Sequence, residues 1–304
     1  MKKNILRTLL FVSVLLLVIY ALQYAIDAIY KKRAKDKYAL VYNHQADPDM
    51  MIYGASTALK EFDTHIIKNI TGYSCYNMGY DGMFFLQYYP TAKEHLSYQK
   101  NCKMVIIVCN VFLGKDWVIM APNFFYAYYN NNTLYNSFRE IMPREMTLAR
   151  YLPGYKLTLL NKAFYREIAY PLKSIDTNYG YEPILESGND FKDVKPFREP
   201  CDSSVVSKLK SLLNDISNSG LKAVLVMTPI YEKGHELILN ADSIISVYST
   251  LADTSRNIYF LDYSKDSLSK SAQYFYTYTH LNKKGSELFS AALSTDLLRI
   301  KARR

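Results

Sequence analysis

"DMMIYGASTALKEFDT", residues 49–64, sets a short apolar run directly before Gly54-Ala55-Ser56 and follows it with apolar residues at helical spacing behind a Ser/Thr start. A buried strand, a tight turn and a helix in that order form the repeating unit of a parallel α/β sheet. The reading puts Ser56 where strand gives way to helix.

The same rhythm recurs outward from this unit. "YSCYNMG" (73–79) reads as a strand, and "MFFLQYYPTAKEHLSYQ" (83–99) as a helix despite Pro90. "KMVIIVCN" (103–110) is the clearest strand. Between 111 and 200 the rhythm breaks into an aromatic, Asn-rich insertion, expected to be mostly helical. It then resumes with a helix over 203–218 closed by Gly220, a strand "KAVLVMTPIY" (222–231), a helix over 234–253, a strand "NIYFLDY" (257–263) and a last helix over 280–298. Five apolar strands separated by helices imply a three-layer α/β domain over 49–298, with a five-stranded parallel sheet covered on both faces. Ligands of such sheets sit outside the carboxyl ends of the strands. Ser56, Gly79 to Gly82, Asn110 and the segment after "NIYFLDY" all fall at that edge.

Ahead of this domain, "TLLFVSVLLLVIYALQYAI" (8–26) holds 19 residues without a charge, between Lys2, Lys3 and Arg7 on one side and Lys31-Lys32-Arg33 on the other. At about 1.5 Å per residue it spans a hydrocarbon core roughly 30 Å thick. It is longer than the apolar core of a cleaved signal and has no convincing small-x-small site, so residues 1–30 read as an uncleaved signal anchor. Basic residues at both ends leave orientation open by charge alone. Residues 31–48, ending in Asp47-Pro48, read as a linker.

Of 304 residues 49% are hydrophobic and 21% charged, which fits a globular chain with a large core. The net charge of +9 lies at the ends: residues 1–40 carry eight Lys/Arg against Asp27 and Asp36, and the basic tail 299–304 adds four, leaving about −1 for the rest. Nucleic-acid binding needs a basic face on the fold itself, so that class is set aside. Cys75, Cys102, Cys109 and Cys201 show no zinc-like spacing. No phosphate loop, dinucleotide fingerprint or metal cluster is visible, and no cofactor is expected.

A serine at a strand-to-helix turn is either a helix cap or a nucleophile whose attack generates an oxyanion. A nucleophile needs a base. Of five histidines, His65 and His95 lie inside helical patterns and His44 in the linker. His235 begins a helix after the fourth strand and remains open, while His280 follows the fifth strand at the right edge of the sheet.

These residues resemble the blocks of the SGNH (GDSL-like) hydrolase superfamily. Gly54-Ala55-Ser56 is similar to its first block, with Ser56 in the nucleophile position. "YNMGYDG" (76–82) resembles the second, whose oxyanion-hole glycine would be Gly82 or Gly79, and "VIIVCN" the third, with Asn110 as the oxyanion-hole asparagine. "HLNKKGSELF" resembles the last, with His280 as base. The resemblance covers roughly 49–115 and 205–298 and implies a flavodoxin-like SGNH fold.

The family's usual Asp three residues before the histidine is Thr277 here. Three readings stay open: Asp262 or Asp266 supplies the carboxylate, a Ser56–His280 dyad works with Thr277 or a backbone carbonyl orienting the ring, or the site has lost activity and kept binding. Cys109 and Val111 also depart from the third block.

An anchor followed by such a domain resembles envelope proteins that add or remove acyl groups on polysaccharides. The resemblance implies an extracytoplasmic domain, an acylated glycan or acyl donor as partner, and an integral-membrane acyltransferase or export protein as a further one. The activity would be that of an acyl esterase or O-acyltransferase. The alternative is a catalytically impaired binding or scaffold protein in such a system. The insertion 111–200 is expected to lie over the site as a cap, with Trp117, Phe124, Phe125, Tyr126, Tyr128 and Tyr129 available to stack on sugars or to pack as a core.

Overall fold

The computed structural model describes residues 2–33, 36–120, 122–159, 179–185 and 194–303. They fall into two compact units: the described residues up to 45 with those of 117–159, and residues 46–116 with the described residues from 179 onward.

The larger unit is built on five parallel strands, β1 (Met50–Tyr53), β2 (Cys75–Asn77), β3 (Met104–Cys109), β4 (Lys222–Met227) and β5 (Ile258–Asp262), in the order β2-β1-β3-β4-β5. Met50 pairs with both Cys75 and Met104, Ile106 with Val224, and Val224 with Tyr259, which aligns the strand ends. Strands buried on both faces account for unbroken apolar runs such as Met104 to Cys109, every residue of which is buried.

α3 (Ser56–Glu61), α4 (Thr64–Thr71) and α12 (Lys283–Ala302) pack together on one face. Phe62 just after α3, Ile67 of α4 and Phe289, Leu293 and Leu297 of α12 close over Ile52, Ile106 and Val224. Asp63 caps α4 through the N–H groups of His65 and Ile66, and Gly72 ends it in the left-handed conformation (φ 71°) that a glycine adopts without a Cβ clash. α5 (Phe85–Tyr98), α9 (Ser203–Asn218), α10 (Glu232–Leu237) and α11 (Ala241–Leu251) complete this unit; α9 packs on α5 and β4, and α11 on β5. The expected single helix over 234–253 is thus two, broken at Ile238 to Asn240, and the fourth strand ends at Met227 rather than Tyr231.

The smaller unit contains α1 (Lys2–Arg33), α2 (Lys37–Tyr42), α6 (Pro122–Phe125), α7 (Asn132–Ile141) and α8 (Pro143–Tyr151). α1 is long and apolar enough to cross a membrane, with a mean hydropathy of 2.5 over its most apolar window. The expected linker 31–48 contains a helix instead. Asp36 accepts from the N–H groups of Tyr38 and Ala39 to start α2. Tyr38 stacks on Phe124 and Tyr42 on Tyr128, with ring centroids 5.7 and 4.8 Å apart.

The insertion is accordingly divided. Residues 117–159 belong to the unit of α1 and α2, whereas 179–185 and 194–202 belong to the sheet unit, where Leu113 and Cys201 bridge. Residues 160–178 and 186–193 of the expected cap lie outside the described residues. Phe125, Tyr126, Tyr128 and Tyr129 are buried among Tyr30, Tyr38, Tyr42 and Phe138, so they form a core rather than a sugar-stacking surface. Trp117 is exposed.

Candidate active site

The β1–α3 turn is compressed. A Cβ on Gly54 would come within 2.8 Å of both Ala58 Cβ and Val108 Cβ, so glycine alone fits between α3 and β3. Ser56 opens α3, and the preceding Ala55 has no side chain to cap the first turn. The early N–H groups of α3 are therefore available to an external acceptor.

Asn77, at the end of β2, is fully buried and fixes α3 from the other side. Its Nδ2 donates to the Ala58 carbonyl (2.7 Å), and its Oδ1 accepts from the Gly79 N–H (2.9 Å). Gly79 lies so close to α3 that a Cβ would stand 2.4 Å from the Leu59 nitrogen. Gly79 is thus a close-approach residue whose N–H is engaged. Gly82 sits in the following turn at φ 70°, and its N–H has no hydrogen-bond partner among the described residues.

Asn110 follows β3. Its Oδ1 accepts from the Phe112 N–H (2.9 Å), which fixes the amide plane and leaves the NH2 group to donate elsewhere. Tyr248 of α11 holds the same backbone, accepting from the Asn110 N–H (3.1 Å) and donating to its carbonyl (2.8 Å). Burial drives the Tyr248 hydroxyl pKa well above its ordinary value, so it remains a donor.

The decisive contacts lie between α3 and the N-terminus of α12. Ser56 Oγ is 3.1 Å from His280 Nε2, and His280 Nδ1 is 3.3 Å from Glu61 Oε1. Glu61 is completely buried at the end of α3. Ser290 of α12 donates to the Glu61 carbonyl (3.0 Å) and accepts from the Asp63 N–H (2.8 Å), which ties that helix end to α12. Burial raises the Glu61 pKa above the ordinary carboxylate value, while His280, the Thr228 hydroxyl and the Leu281 N–H pull it back. An ionised Glu61 accepts from Nδ1–H, leaving Nε2 as the lone-pair nitrogen facing the Ser56 hydroxyl.

The sequence-derived partners for His280 are replaced by Glu61. Asp262 is turned back on its own loop, accepting from the Ser264 N–H (2.9 Å), and Asp266 caps a short turn through the Leu268 N–H (3.0 Å). Thr277 does position His280, but through the backbone: its Oγ1 accepts from the His280 N–H (3.1 Å), and the ring is held elsewhere. His235 pairs with Asp242 (3.4 Å). His65 packs edge-on against Tyr179, and His95 is fully buried with no hydrogen-bond partner for either ring nitrogen among the described residues.

Beside the Asn110 amide lies a narrow apolar recess, floored by Ala55, Val108 and Leu209 and walled by Phe84, Tyr88 and Phe112. Phe84 and Phe112 meet at a centroid distance of 4.4 Å. Buried Asp116 holds the start of α5 by accepting from the N–H groups of Phe84 and Leu86 and from Gln87 Nε2. Among the described residues, no group of three or more His, Cys, Asp or Glu could hold a metal ion.

The sequence matches no protein-family model and no curated protein.

Proposed function

We propose that the protein is a membrane-anchored serine acyl esterase or O-acyltransferase acting on an acylated cell-envelope glycan. The observation that carries this reading is the Ser56–His280–Glu61 relay. A hydroxyl at the carboxyl edge of a parallel sheet faces an imidazole whose other nitrogen is held by a buried carboxylate, the arrangement that activates serine nucleophiles on unrelated folds.

Ser56 Oγ attacks the ester carbonyl and its proton passes to His280 Nε2. Glu61 stabilises the imidazolium that results. The N–H groups of Ser56 and Gly82 and the Asn110 amide are the donors for the tetrahedral oxyanion, and removal of one such donor costs about 10² to 10³ in rate. Collapse expels the alcohol, which takes the proton from His280, and leaves an acyl-serine. Water or a sugar hydroxyl, deprotonated by His280, then attacks the acyl carbon and regenerates Ser56. Hydrolase and transferase differ in that acceptor alone.

The apolar α1 supports the anchor, and the resemblance to envelope SGNH proteins supports an extracytoplasmic site, a glycan acceptor and a membrane acyltransferase or export partner. Thr277 in place of aspartate favours an inert binding protein, whereas Glu61 supports the catalytic reading, because its carboxyl group stands beside the same nitrogen. The test is labelling of the full-length protein in detergent with a fluorophosphonate probe, beside Ser56→Ala and His280→Ala. Labelling of the wild type alone is expected. A folded wild type that stays unlabelled would overturn the reading.

A further inference from the structure

We propose that the end of α8 and the turn after it, carrying Tyr151 and Leu152, insert into the headgroup–acyl boundary of the lipid bilayer and form a second membrane contact beside α1. The inference rests on the reading of α1 as a membrane anchor.

α1 runs for 32 residues, about 48 Å at 1.5 Å per residue, which is longer than a hydrocarbon core of roughly 30 Å. Its lower part, residues 3–18, is bare on every side. From Ile19 onward one stripe is covered, Ile19, Gln23, Ile26, Asp27 and Tyr30, while Tyr20, Leu22 and Tyr24 between them stay exposed. Spacings of three and four place the covered residues on one helix face.

The cover is the segment after α8. The Gly154 N–H donates to Gln23 Oε1 (2.8 Å), and a Cβ on Gly154 would stand 2.6 Å from Ile19 Cγ2, so the Gly154 backbone packs directly on α1 side chains. One step farther along, Lys156 pairs with Asp27 and lies over the Tyr126 ring, 4.5 Å from its centroid. These contacts fix the level of the turn along α1.

That level lies within the membrane or at its surface. Ile19 and Gln23 both belong to the uncharged run 8–26. A core of about 30 Å that starts at Thr8 ends near Asp27, placing Ile19 roughly 10 Å inside. A core that starts at Asn4, with Arg7 reaching back to the opposite surface, ends near Gln23 and places the turn in the boundary layer. In both registers the turn is too deep to face bulk water. Its outward side chains suit that layer: Tyr151 is 71% exposed and Leu152 46%, with the Arg150 guanidinium 6.0 Å from the Tyr151 ring. An exposed tyrosine at the end of α8, with the exposed Tyr20 and Tyr24 on α1, is the composition of an interfacial aromatic belt.

The test uses the full chain in phosphatidylcholine/phosphatidylglycerol vesicles. Trp117 is the single tryptophan, so Trp117→Phe combined with Leu152→Trp gives one reporter. The expected result is blue-shifted emission that is roughly halved by lipids brominated near the headgroup end of the acyl chain and less affected by lipids brominated near its terminus. Trp117→Phe with Tyr151→Trp should behave alike. Red emission without quenching would place the turn in water, and blue emission without quenching would mean that protein, including a second copy, covers it; either overturns the proposal. Alkaline carbonate extraction separates the two readings. A chain released from the vesicles removes the anchor itself, whereas a retained chain with unquenched tryptophan removes this contact alone.

Discussion

Glu61 occupies the last position of a six-residue helix that Ser56 begins, and its carboxylate faces His280 across the gap to α12. Replacing it with glutamine should lower turnover by up to about 10⁴, as loss of the carboxylate does in other triads, while leaving fluorophosphonate labelling slow but detectable. Its stability effect should run the other way. A carboxyl with its pKa raised in the fold binds its proton more tightly there than in the unfolded chain, so its contribution to stability is full below the unfolded value near 4.5 and is lost as pH rises through the folded value. Glu61→Gln should therefore unfold no more easily than the wild type at neutral pH, and denaturant titrations at several pH values would show this. Activity should rise across the same window, as the carboxylate form appears. His95 has the opposite sign. Burial without a partner lowers its pKa to about 4, so the protonation that the unfolded chain gains below about 6.5 destabilises the fold. At pH 5 this amounts to about 2 kcal/mol, and His95→Phe should stabilise the protein more at pH 5 than at pH 7. The pairing of Ser56 with His280 is legible because each follows an apolar strand at the carboxyl edge. Glu61 is not, because the family pattern sets the carboxylate just before the histidine, on the side of Asp262 and Asp266 rather than on α3. A signal was present: Glu61 lies three residues after Ala58 and one before Phe62, on the apolar stripe of α3, where an unpaired charge is costly.

At the scale of elements, the sheet is readable from its apolar runs, and its strands are shorter than those runs, most of all at β4, where "TPIY" lies beyond the strand end. What spacing could not give is which helices pinch the site. α5, α9 and α11, with the β1 and β3 ends, enclose the recess beside Asn110, and Phe84 and Phe112 set its width. Given the proposed chemistry, a recess with room for about one water admits at most the methyl of an acetyl group and excludes a longer chain. The enzyme should cleave an acetyl ester far faster than an octanoyl ester of the same alcohol. Phe112→Ala should narrow that preference by about tenfold or more, since one methylene in a hydrophobic pocket is worth about 1–3 kcal/mol. A preference for octanoyl esters in the wild type would contradict this role for the recess.

The whole molecule joins a sheet unit that holds every residue of the relay to a second unit assembled from both sides of the sequence. Composition alone does not say which partner buries the aromatic residues of the insertion. Its Phe124, Phe125 and Tyr128 pack against Tyr38 and Tyr42 of α2, residues that looked like linker. This division has a consequence for truncation. A chain begun at Ala46 keeps the strands, the relay and Asn77, yet it removes α1 and α2 and leaves the aromatic faces of α6 and the following turn uncovered. Exposing rings of that size costs roughly 1.5–3 kcal/mol each. Such a chain should be cleaved by limited proteolysis within 117–159 under conditions that leave the full-length protein intact there, while the fragments that carry Ser56 and His280 stay associated through β1, β3, β4 and α12. Equal resistance of the 117–159 segment in both chains would show that it folds without α2 and would refute the shared core.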